Sequence, residues 1–315
     1  MNGPGNHSHA FRETTPVPSA PSSPVFGRNF RDTCSQRYNR ISFLFEHGFR
    51  DHPLFAWSNL LELARRQPQS PAYAYWSNGT VRVDDHWDAA EEHRYSLQDT
   101  LLGIETNDSL AMLKHVEEDA VFGPFVRQVQ HDILELAGAQ MSNDAICARG
   151  TLLIASPGRI TSYHIDSDVN FLFQIAGDKL FRVSDQSYPA VTSPEELENY
   201  FLGDPNGAVF KPERQLDAKC YELRAGCGVH VPCMAAHWAK NLDAPSIALS
   251  INFDLRSVVS IGRLYRLNGK LRRLGLNPAP PGSCLWRDNL KTAALDLLEV
   301  GRKLPQPLHA IRRPK

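Results

Sequence analysis

The sequence has no excess of charge of one sign. Its 315 residues include 34 Lys and Arg and 35 Asp and Glu, which gives a formal net charge of -1. Proteins that bind nucleic acids or anionic membranes through bulk charge are usually strongly basic. We therefore expect neither a nucleic acid nor a membrane as a partner.

Long apolar runs and paired cysteines are also missing. The N-terminal stretch MNGPGNHSHAFRETT has no apolar core of the kind found in a secretory signal, and no stretch approaches the length of a membrane span. The six cysteines form no C-x-x-C pair, which argues against an attached chromatin-reading zinc module. We expect a cytoplasmic protein with reduced thiols.

The texture of the sequence changes along the chain and predicts four regions. Residues 1–30 are rich in Pro and Ser and are predicted to be a disordered tail. Residues 31–148 are predicted to form an N-terminal α+β segment, and residues 256–315 a C-terminal helical region. Between them, residues 149–255 alternate short β-rich runs with Gly, Pro, Asp and Ser, which is typical of a β-sandwich or barrel.

Several local signals predict individual elements. The Asn-Gly dipeptide at 78–79, between two β-rich runs, predicts a hairpin, and Ser58 predicts the N-cap of a helix over NLLELARR. The stretch DAVFGPFVRQVQHDILELAG has apolar residues at helical spacing and predicts a helix that ends near Gly138. The stretch TSPEELENYF predicts a helix with a capping box.

The stretch TSYHIDSDVNFLFQIAGDK, residues 161–179, places a histidine and an aspartate in an apolar strand pattern. Side chains two apart on a strand share a face, so Ser162, His164 and Asp166 are predicted to project together. The His–Asp pair has two interpretations. Either the carboxylate fixes the histidine through a hydrogen bond, or both side chains bind a metal ion.

A metal site needs a third ligand, and two histidines downstream are candidates. His230 lies inside an apolar run, whereas His237 follows a Pro and a short loop at the start of another predicted strand. Two histidines and one carboxylate form the facial triad of non-haem Fe(II) oxygenases. We favour His237 as the ligand and expect His230 to be a wall residue.

Lys179 lies one predicted strand further on, among Phe and Val. A lysine on a barrel strand is costly to bury unless its ammonium has a partner. Its side chain either extends along the edge of the barrel to water or reaches inward to bind a carboxylate. Thr161 and Asn170 are polar residues of the same stretch that can complete such an anchor.

Together these residues resemble the jumonji-C, or cupin-like, branch of the Fe(II)/2-oxoglutarate oxygenases. The pattern T-x-x-H-x-D-x-x-x-N-F-x-x-Q-I-x-G-x-K is followed by P-x-x-x-x-H and by a late asparagine, Asn252. The stretch is particularly similar to the asparaginyl hydroxylase that acts on the hypoxia-inducible factor, and to bacterial cupin-like proteins. The similarity covers residues from about 150 to 255.

The resemblance implies a mainly β fold with flanking helices around a double-stranded β-helix, or jelly roll. It implies an Fe(II) site formed by three residues: His164, Asp166 and His237. It implies that Thr161 and Lys179 hold the distal carboxylate of 2-oxoglutarate. It also implies that Asn170 and Asn252 lie near the metal, at the 2-oxo acid end. The tyrosine that the family commonly adds to this site has no counterpart that the sequence identifies.

The function implied by the resemblance is hydroxylation of a C–H bond, with 2-oxoglutarate and O2 as co-substrates and succinate and CO2 as products. The substrate class stays open between a protein, a peptide and a small molecule, and the C-terminal helices can form a homodimer. Two alternatives also stay open: a metal-binding cupin that does not use 2-oxoglutarate, and a non-catalytic regulatory protein. The basic run RLYRLNGKLRRLG can bind an acidic partner or be a solvated helix face.

Overall fold

Two antiparallel sheets form the centre of the molecule, in a computed structural model that describes residues 26–87, 89, 91–92, 94–184 and 191–303. The strands are β1 (Phe43–Glu46), β2 (Ala74–Asn78), β3 (Glu91–Glu92), β4 (Ser109–Lys114), β5 (Ala145–Ala155), β6 (Ile160–His164), β7 (Val169–Ala176), β8 (Lys179–Val183), β9 (Lys219–Leu223), β10 (Cys227–Val231), β11 (His237–Asn241) and β12 (Ser246–Leu255). The α-helices are α1 (Phe30–Arg37), α2 (Trp57–Arg66), α3 (Leu97–Leu102), α4 (Gly123–Ala137), α5 (Ala139–Asp144), α6 (Pro194–Phe201), α7 (Arg256–Arg273) and α8 (Leu285–Lys303).

The connectivity of the strands is that of a double-stranded β-helix. The larger sheet has the order β1-β10-β7-β12-β5-β4-β2-β3, and the smaller sheet has the order β6-β11-β8-β9. From β5 to β12 each sheet receives four strands, and the N-terminal strands extend the larger sheet at both edges. The predicted mainly β fold with flanking helices and a jelly-roll core is confirmed.

The outer face of the larger sheet carries the main hydrophobic core. Phe171 and Phe173 of β7 and Phe253 of β12 are buried there, together with Phe122 and Ile133 from the α4 segment. Removing such large apolar side chains from water is the main stabilising term of a fold. The sheet is thus closed on one side by packing, which leaves its inner face to the space between the two sheets.

The first residues of the described chain belong to this core. Phe26 and Phe30 are buried, and their ring centroids lie 4.1 Å apart. The predicted disordered tail, residues 1–30, otherwise lies outside the described residues. Its last segment, residues 26–30, is packed in the fold, because two aromatic side chains anchor it against the larger sheet.

The hairpin predicted around residues 78–79 is wrong. β2 ends at Asn78, and its partners are β4 along its whole length and the two-residue β3. Gly79 has the positive φ that a turn requires, +94°, but residues 80–87 after it form no strand. Five consecutive pairs with β4 replace the local partner that the sequence suggested.

The predicted helix ends are mostly correct. α4 ends at Ala137, before Gly138 at a φ of +82°. The capping box is confirmed at α6, where Ser193 and Glu196 each bond the backbone N–H of the other. The N-cap predicted at Ser58 is wrong, since α2 begins at Trp57.

The basic run in α7 contacts the neighbouring helices. Arg272 donates to the Glu198 carboxylate of α6 at 2.8 and 3.2 Å, and Arg263 donates to Asp296 of α8 at 2.8 Å. Arg266 donates to the backbone oxygen of Phe201. These three arginines therefore hold α6 and α8 in place. No helix in the described part of the chain combines the length and the apolar character that crossing a membrane requires.

Candidate metal and co-substrate site

A cavity of about 370 Å³ lies between the inner faces of the two sheets. The seven site residues predicted from the sequence all line it: Thr161, His164, Asp166, Asn170, Lys179, His237 and Asn252. They come from both sheets, so that the barrel brings together residues that lie far apart along the chain. Their predicted roles, as ligands of a metal ion and of 2-oxoglutarate, stay predictions.

Two histidines and an aspartate face one another on the smaller sheet. His164 at the end of β6 and His237 at the start of β11 are direct partners in the antiparallel register. Their Nε2 atoms lie 3.7 and 3.6 Å from Asp166 Oδ2. Asp166 itself lies beyond the end of β6, where its backbone oxygen accepts a hydrogen bond from Met234 N–H. The structure thus gathers three metal-ligating side chains at one point.

A β-bulge in β6 sets the direction of His164. His237 pairs with His164 but Ala239 pairs with Thr161, so three steps along β6 match two steps along β11. A bulge of this kind re-aims the side chains that follow it. Thr161 and His164 therefore both line the cavity, whereas Ser162, predicted to face the same way as His164, does not.

Backbone carbonyls fix the tautomers of both histidines. His164 Nδ1 lies 2.7 Å from the oxygen of Ser162, and His237 Nδ1 lies 2.8 Å from the oxygen of Ala235. A carbonyl oxygen only accepts, so each Nδ1 carries a hydrogen, and in the neutral ring Nε2 then presents a lone pair. Burial, and then the charge of His164, lower the pKa of His237, while Asp166 raises it. His237 is therefore neutral at pH 7.

The three facing atoms fit a divalent cation. The separations of 3.6 and 3.7 Å between each Nε2 and Asp166 Oδ2 exceed those of hydrogen bonds. Two imidazole nitrogens and a carboxylate oxygen that face one another in this way could hold a metal ion between them. The same combination of donors, two histidines and one carboxylate, is used by facial-triad Fe(II) centres.

Lys179 places a buried positive charge in the same cavity. It is the first residue of β8, its side chain is 7% exposed, and the described residues give it no hydrogen-bond or ion-pair partner. Burial lowers the pKa of its ammonium to about 8. Two residues further on, Phe181 stacks against His237 with ring centroids 5.5 Å apart. An unpaired buried ammonium fits an anionic ligand such as a carboxylate.

His230 lies away from this cluster. It is fully buried on β10, where its Nδ1 lies 3.1 Å from the backbone oxygen of Asn170 and its Nε2 accepts from Asn39 N–H at 3.0 Å. Its ring contacts Phe43 and Phe171. Burial lowers its pKa to about 3. Both nitrogens are used by the backbone, which leaves none for a metal ion.

Sequence reasoning missed an ion-pair network on the wall of the cavity. Arg149 of β5 donates to the carboxylates of Asp254, at 2.7 Å, and Asp168, at 3.1 Å. Asn252 also donates to Asp168, at 2.9 Å. Burial and then the charge of Asp166 raise the pKa of Asp168 to about 7, although the bonds from Asn252 and Arg149 act in the opposite direction. The signal that the sequence offered was period two along β12, which puts Ser250, Asn252 and Asp254 on one face.

Among the described residues, no tyrosine of a strand before β6 lines the cavity. From the earlier strands, Met112, Thr151 and Leu153 line the cavity, and the tyrosine among the described lining residues is Tyr200 of α6. Its hydroxyl accepts from the backbone N–H of Ser167, at 3.0 Å. α6 thereby holds the loop that carries Asp166.

The fold is similar to that of solved structures of YcfD, a ribosomal oxygenase from Escherichia coli. One crystal structure matches with a TM-score of 0.51 and 15% sequence identity, over 89% of this chain and 68% of that chain. Another, in complex with cobalt and 2-oxoglutarate, matches with a TM-score of 0.50 and 16% identity, over 88% and 68% of the chains. No protein-family model and no curated protein matches the sequence. The resemblance to the cupin-like oxygenases is thus confirmed at the level of the fold.

Proposed function

We propose that the protein is an Fe(II)- and 2-oxoglutarate-dependent oxygenase that hydroxylates a C–H bond of a protein, peptide or small molecule. The observation that carries the proposal is the combination, in one cavity, of three side chains that could bind a metal ion with a buried ammonium to which the described residues give no partner. A metal ion would satisfy the first, and a dicarboxylate bound to that metal would satisfy the second. The likeness to YcfD, solved with cobalt and 2-oxoglutarate, supports it.

The residues that would hold the metal are His164 and His237, through Nε2, and Asp166, through its carboxylate. The carbonyls of Ser162 and Ala235 keep both rings in the tautomer and orientation that binding requires. When bound, Fe(II) would supply the oxidising chemistry that turns O2 and 2-oxoglutarate into a hydroxylating agent, with succinate and CO2 as products.

Lys179 and Thr161 would hold the distal carboxylate of 2-oxoglutarate, as a charged and a hydroxyl donor. Phe181 beside His237 keeps this part of the cavity apolar, which strengthens the attraction between ammonium and carboxylate. Asn170 and Asn252 line the wall of the larger sheet opposite. The chain's own contribution would be to orient the co-substrate and to exclude bulk water from the reacting atoms.

The first test is anaerobic absorption spectroscopy of the metal-free protein with Fe(II), before and after 2-oxoglutarate. We expect a new visible charge-transfer band, since the 2-oxo acid would chelate the metal through two atoms. The band should disappear in His164→Ala and His237→Ala and remain in His230→Ala.

Two outcomes would overturn parts of the proposal. Metal binding without the band would make the 2-oxoglutarate assignment wrong and leave a metal-binding cupin. Failure to bind Fe(II), Co(II) or Zn(II) at all would make the barrel a scaffold without an enzymatic metal. Lys179→Met serves as a second check, because it should bind the metal normally and lose the band.

A further inference from the structure

We propose that Asp168 and Arg149 are positioning residues for Asp166, the carboxylate of the proposed metal site. Their ion pair ties the loop that carries Asp166 to the larger sheet and thereby sets where the Asp166 carboxylate lies. The contacts that carry this inference join described side chains, while its meaning for a metal ion rests on the proposed function.

Asp166 differs from the two histidines in how it is held. The rings of His164 and His237 are each fixed by a backbone carbonyl that accepts from Nδ1. The described residues give the Asp166 carboxylate no hydrogen bond, and its side chain is 38% exposed. Carboxylates that bind metal ions are normally hydrogen-bonded themselves, which keeps them in the orientation that binding needs. The position of this carboxylate therefore depends on the backbone that carries it.

That backbone is a loop, residues 165–168, which crosses from β6 in the smaller sheet to β7 in the larger sheet. The backbone oxygen of Asp166 accepts from Met234 N–H at 2.6 Å, and the next N–H donates to the hydroxyl of Tyr200 at 3.0 Å. The end of the loop is attached to the larger sheet through the side chain of Asp168.

The attachment at Asp168 uses both carboxylate oxygens. Oδ2 accepts from Arg149 of β5 at 3.1 Å, and Oδ1 accepts from the side-chain amide of Asn252 of β12 at 2.9 Å. Arg149 and Asn252 are direct partners in the antiparallel register, so two neighbouring strands hold one carboxylate. Both oxygens of Asp168 are thus engaged by the larger sheet.

Arg149 is itself fixed by a second carboxylate. It donates to both oxygens of Asp254, and a bidentate pair of this kind holds the plane of the guanidinium. The Nη2 atom that bonds Asp254 has a second hydrogen, which it donates to Asp168. The guanidinium therefore presents this donor in a direction that the sheet, and not the loop, determines.

Two explanations link the ion pair to metal binding, and they differ in sign. If only charge matters, loss of the Asp168 carboxylate weakens the binding of a cation, whereas loss of the Arg149 guanidinium strengthens it. If the ion pair positions the loop, loss of either partner leaves Asp166 less well placed, and both losses weaken binding. Variants of Arg149 therefore decide between the two explanations.

The first experiment measures the Co(II) affinity of the full-length protein by calorimetric titration at pH 8. Asp168→Asn and Arg149→Met should each weaken binding by about 10- to 100-fold, the usual loss when the support of a metal ligand is removed. The double variant should bind as well as the weaker of the two single variants, because both changes break one contact. An affinity of Arg149→Met that equals or exceeds that of the wild-type protein would overturn the proposal.

Arg149→Lys covers the case in which the methionine variant does not fold. A lysine keeps the positive charge but cannot bond two carboxylates in the fixed geometry of a guanidinium. The charge explanation predicts an unchanged Co(II) affinity for this variant, whereas positioning predicts a weaker one.

The matched control is the ion pair of Arg66 with Asp119. It is also bidentate, at 2.9 and 3.0 Å, and neither residue is among the described residues that line the cavity. Arg66→Met should lower the unfolding temperature and leave Co(II) affinity unchanged. A loss of affinity as large as that in Arg149→Met would make the pair at the cavity a general stabilising contact and the proposal wrong.

The second experiment needs no metal ion. Hydrogen exchange of the metal-free protein, followed by mass spectrometry on peptides that include Ser167, reports how often the loop opens. Arg149→Met should speed exchange there by at least about tenfold, because the loop loses its attachment to the sheet, and Arg66→Met should not. Unchanged exchange at Ser167 in Arg149→Met would show that the loop is held without the ion pair and would contradict the proposal.

The results separate this proposal from the proposed function. A wild-type protein that binds no Co(II) overturns both. Wild-type binding with the 2-oxoglutarate absorption band, together with undiminished affinity in Arg149→Met, overturns the positioning role alone. Weakened Co(II) binding in both variants, without the band in the wild-type protein, supports the positioning role and makes the oxygenase function wrong.

Discussion

Strands β7 and β12 each have an apolar outer face and a polar inner face. On the outer face, Phe171 and Phe253 are fully buried among aromatic rings. On the inner face, one residue away, Asn170 and Asn252 line a cavity, and the described residues give Asn170 Oδ1 no hydrogen-bond partner. Because side chains alternate across a strand, packing and chemistry are assigned to alternate residues and do not compete for the same positions.

The buried histidines repeat this contrast. His230 on the outer side has both nitrogens bonded to backbone atoms. His237 on the inner side has one nitrogen bonded to a carbonyl, and the other faces Asp166. Burial is common to both, so burial does not identify a ligand. A ligand is identified instead by a ring nitrogen to which the protein gives no hydrogen bond.

The largest expected effect is on metal binding. His237→Ala should weaken Co(II) binding by at least about 100-fold, since removing even a residue that only supports a ligand commonly costs 10- to 100-fold. His230→Ala should leave Co(II) affinity within about threefold and lower the unfolding temperature, because it empties a packed site. Calorimetric titration and thermal unfolding check both. Similar losses of Co(II) affinity in the two variants would contradict the assignment of His237, and not His230, as the metal ligand.

Neighbouring residues on β7 give the second test. Phe171→Ala should lower the free energy of unfolding by about 3–5 kcal/mol, as loss of a buried aromatic side chain does. Asn170→Ala should change it by less than about 1 kcal/mol, because it removes one hydrogen bond together with an unsatisfied acceptor. Urea unfolding of the metal-free protein measures both values. Equal costs would mean that the inner wall is also a packing element.

The pH dependence of 2-oxoglutarate binding is the third test. The pKa of Lys179 in the free protein is about 8, so the ammonium is present below pH 8 and is lost above it. Affinity should be about tenfold lower at pH 9 than at pH 7, where the amine is charged. In Lys179→Arg the affinity should stay level over this range, since a guanidinium keeps its charge.

The lowered pKa of Lys179 weakens 2-oxoglutarate binding at high pH but has the opposite effect on the stability of the fold. The folded-state pKa, about 8, lies below the ordinary value of 10.5, so the unfolded chain binds more protons between these values. The contribution of Lys179 to the free energy of unfolding therefore rises as pH rises from 8 to 10.5. Lys179→Met should remove this rise, and unfolding curves at pH 7.5 and 9.5 would show whether it does.

The smallest effect concerns the helix at the edge of the inner face. Ser193→Ala should lower the free energy of unfolding by about 1 kcal/mol, the usual cost of a lost N-cap. The control is Ser96→Ala, which removes the N-cap of α3, away from the cavity. Only Ser193→Ala should also weaken 2-oxoglutarate binding, because α6 carries Tyr200 and thereby holds the loop next to Asp166.

The inner-face residues were predictable because most of them lie in one stretch. Residues 161–179 carry a histidine, an aspartate, an asparagine and a lysine at fixed spacing, and the confirmed helix α4 has a strong local pattern. The local patterns of the sequence did not indicate which strand each strand pairs with. The hairpin at residues 78–79 failed for that reason, since β4 outcompeted the local pairing.

The same limit applies to the cavity wall and to the bulge. Arg149 and Asp254 are 105 residues apart, so nothing local links them. The bulge in β6 exists only relative to the register of β11, which no pattern within β6 reveals. Long-range contacts and registers are decided by packing over the whole molecule.

The pairing of β5 with β12 also has a consequence for the order in which the chain can fold. The two strands share ten residue pairs, from Ser246 with Ala155 to Leu255 with Ala145. A sheet closed by contacts so distant in sequence forms slowly, because a long loop must be ordered first. During synthesis, β7 leaves the ribosome before β12, so the edge of β7 that pairs with β12 has no partner there until residue 255 has followed. The strand that completes the cavity wall is thus also the one that pairs this edge, and a chain interrupted before it would keep an unpaired strand edge open to aggregation.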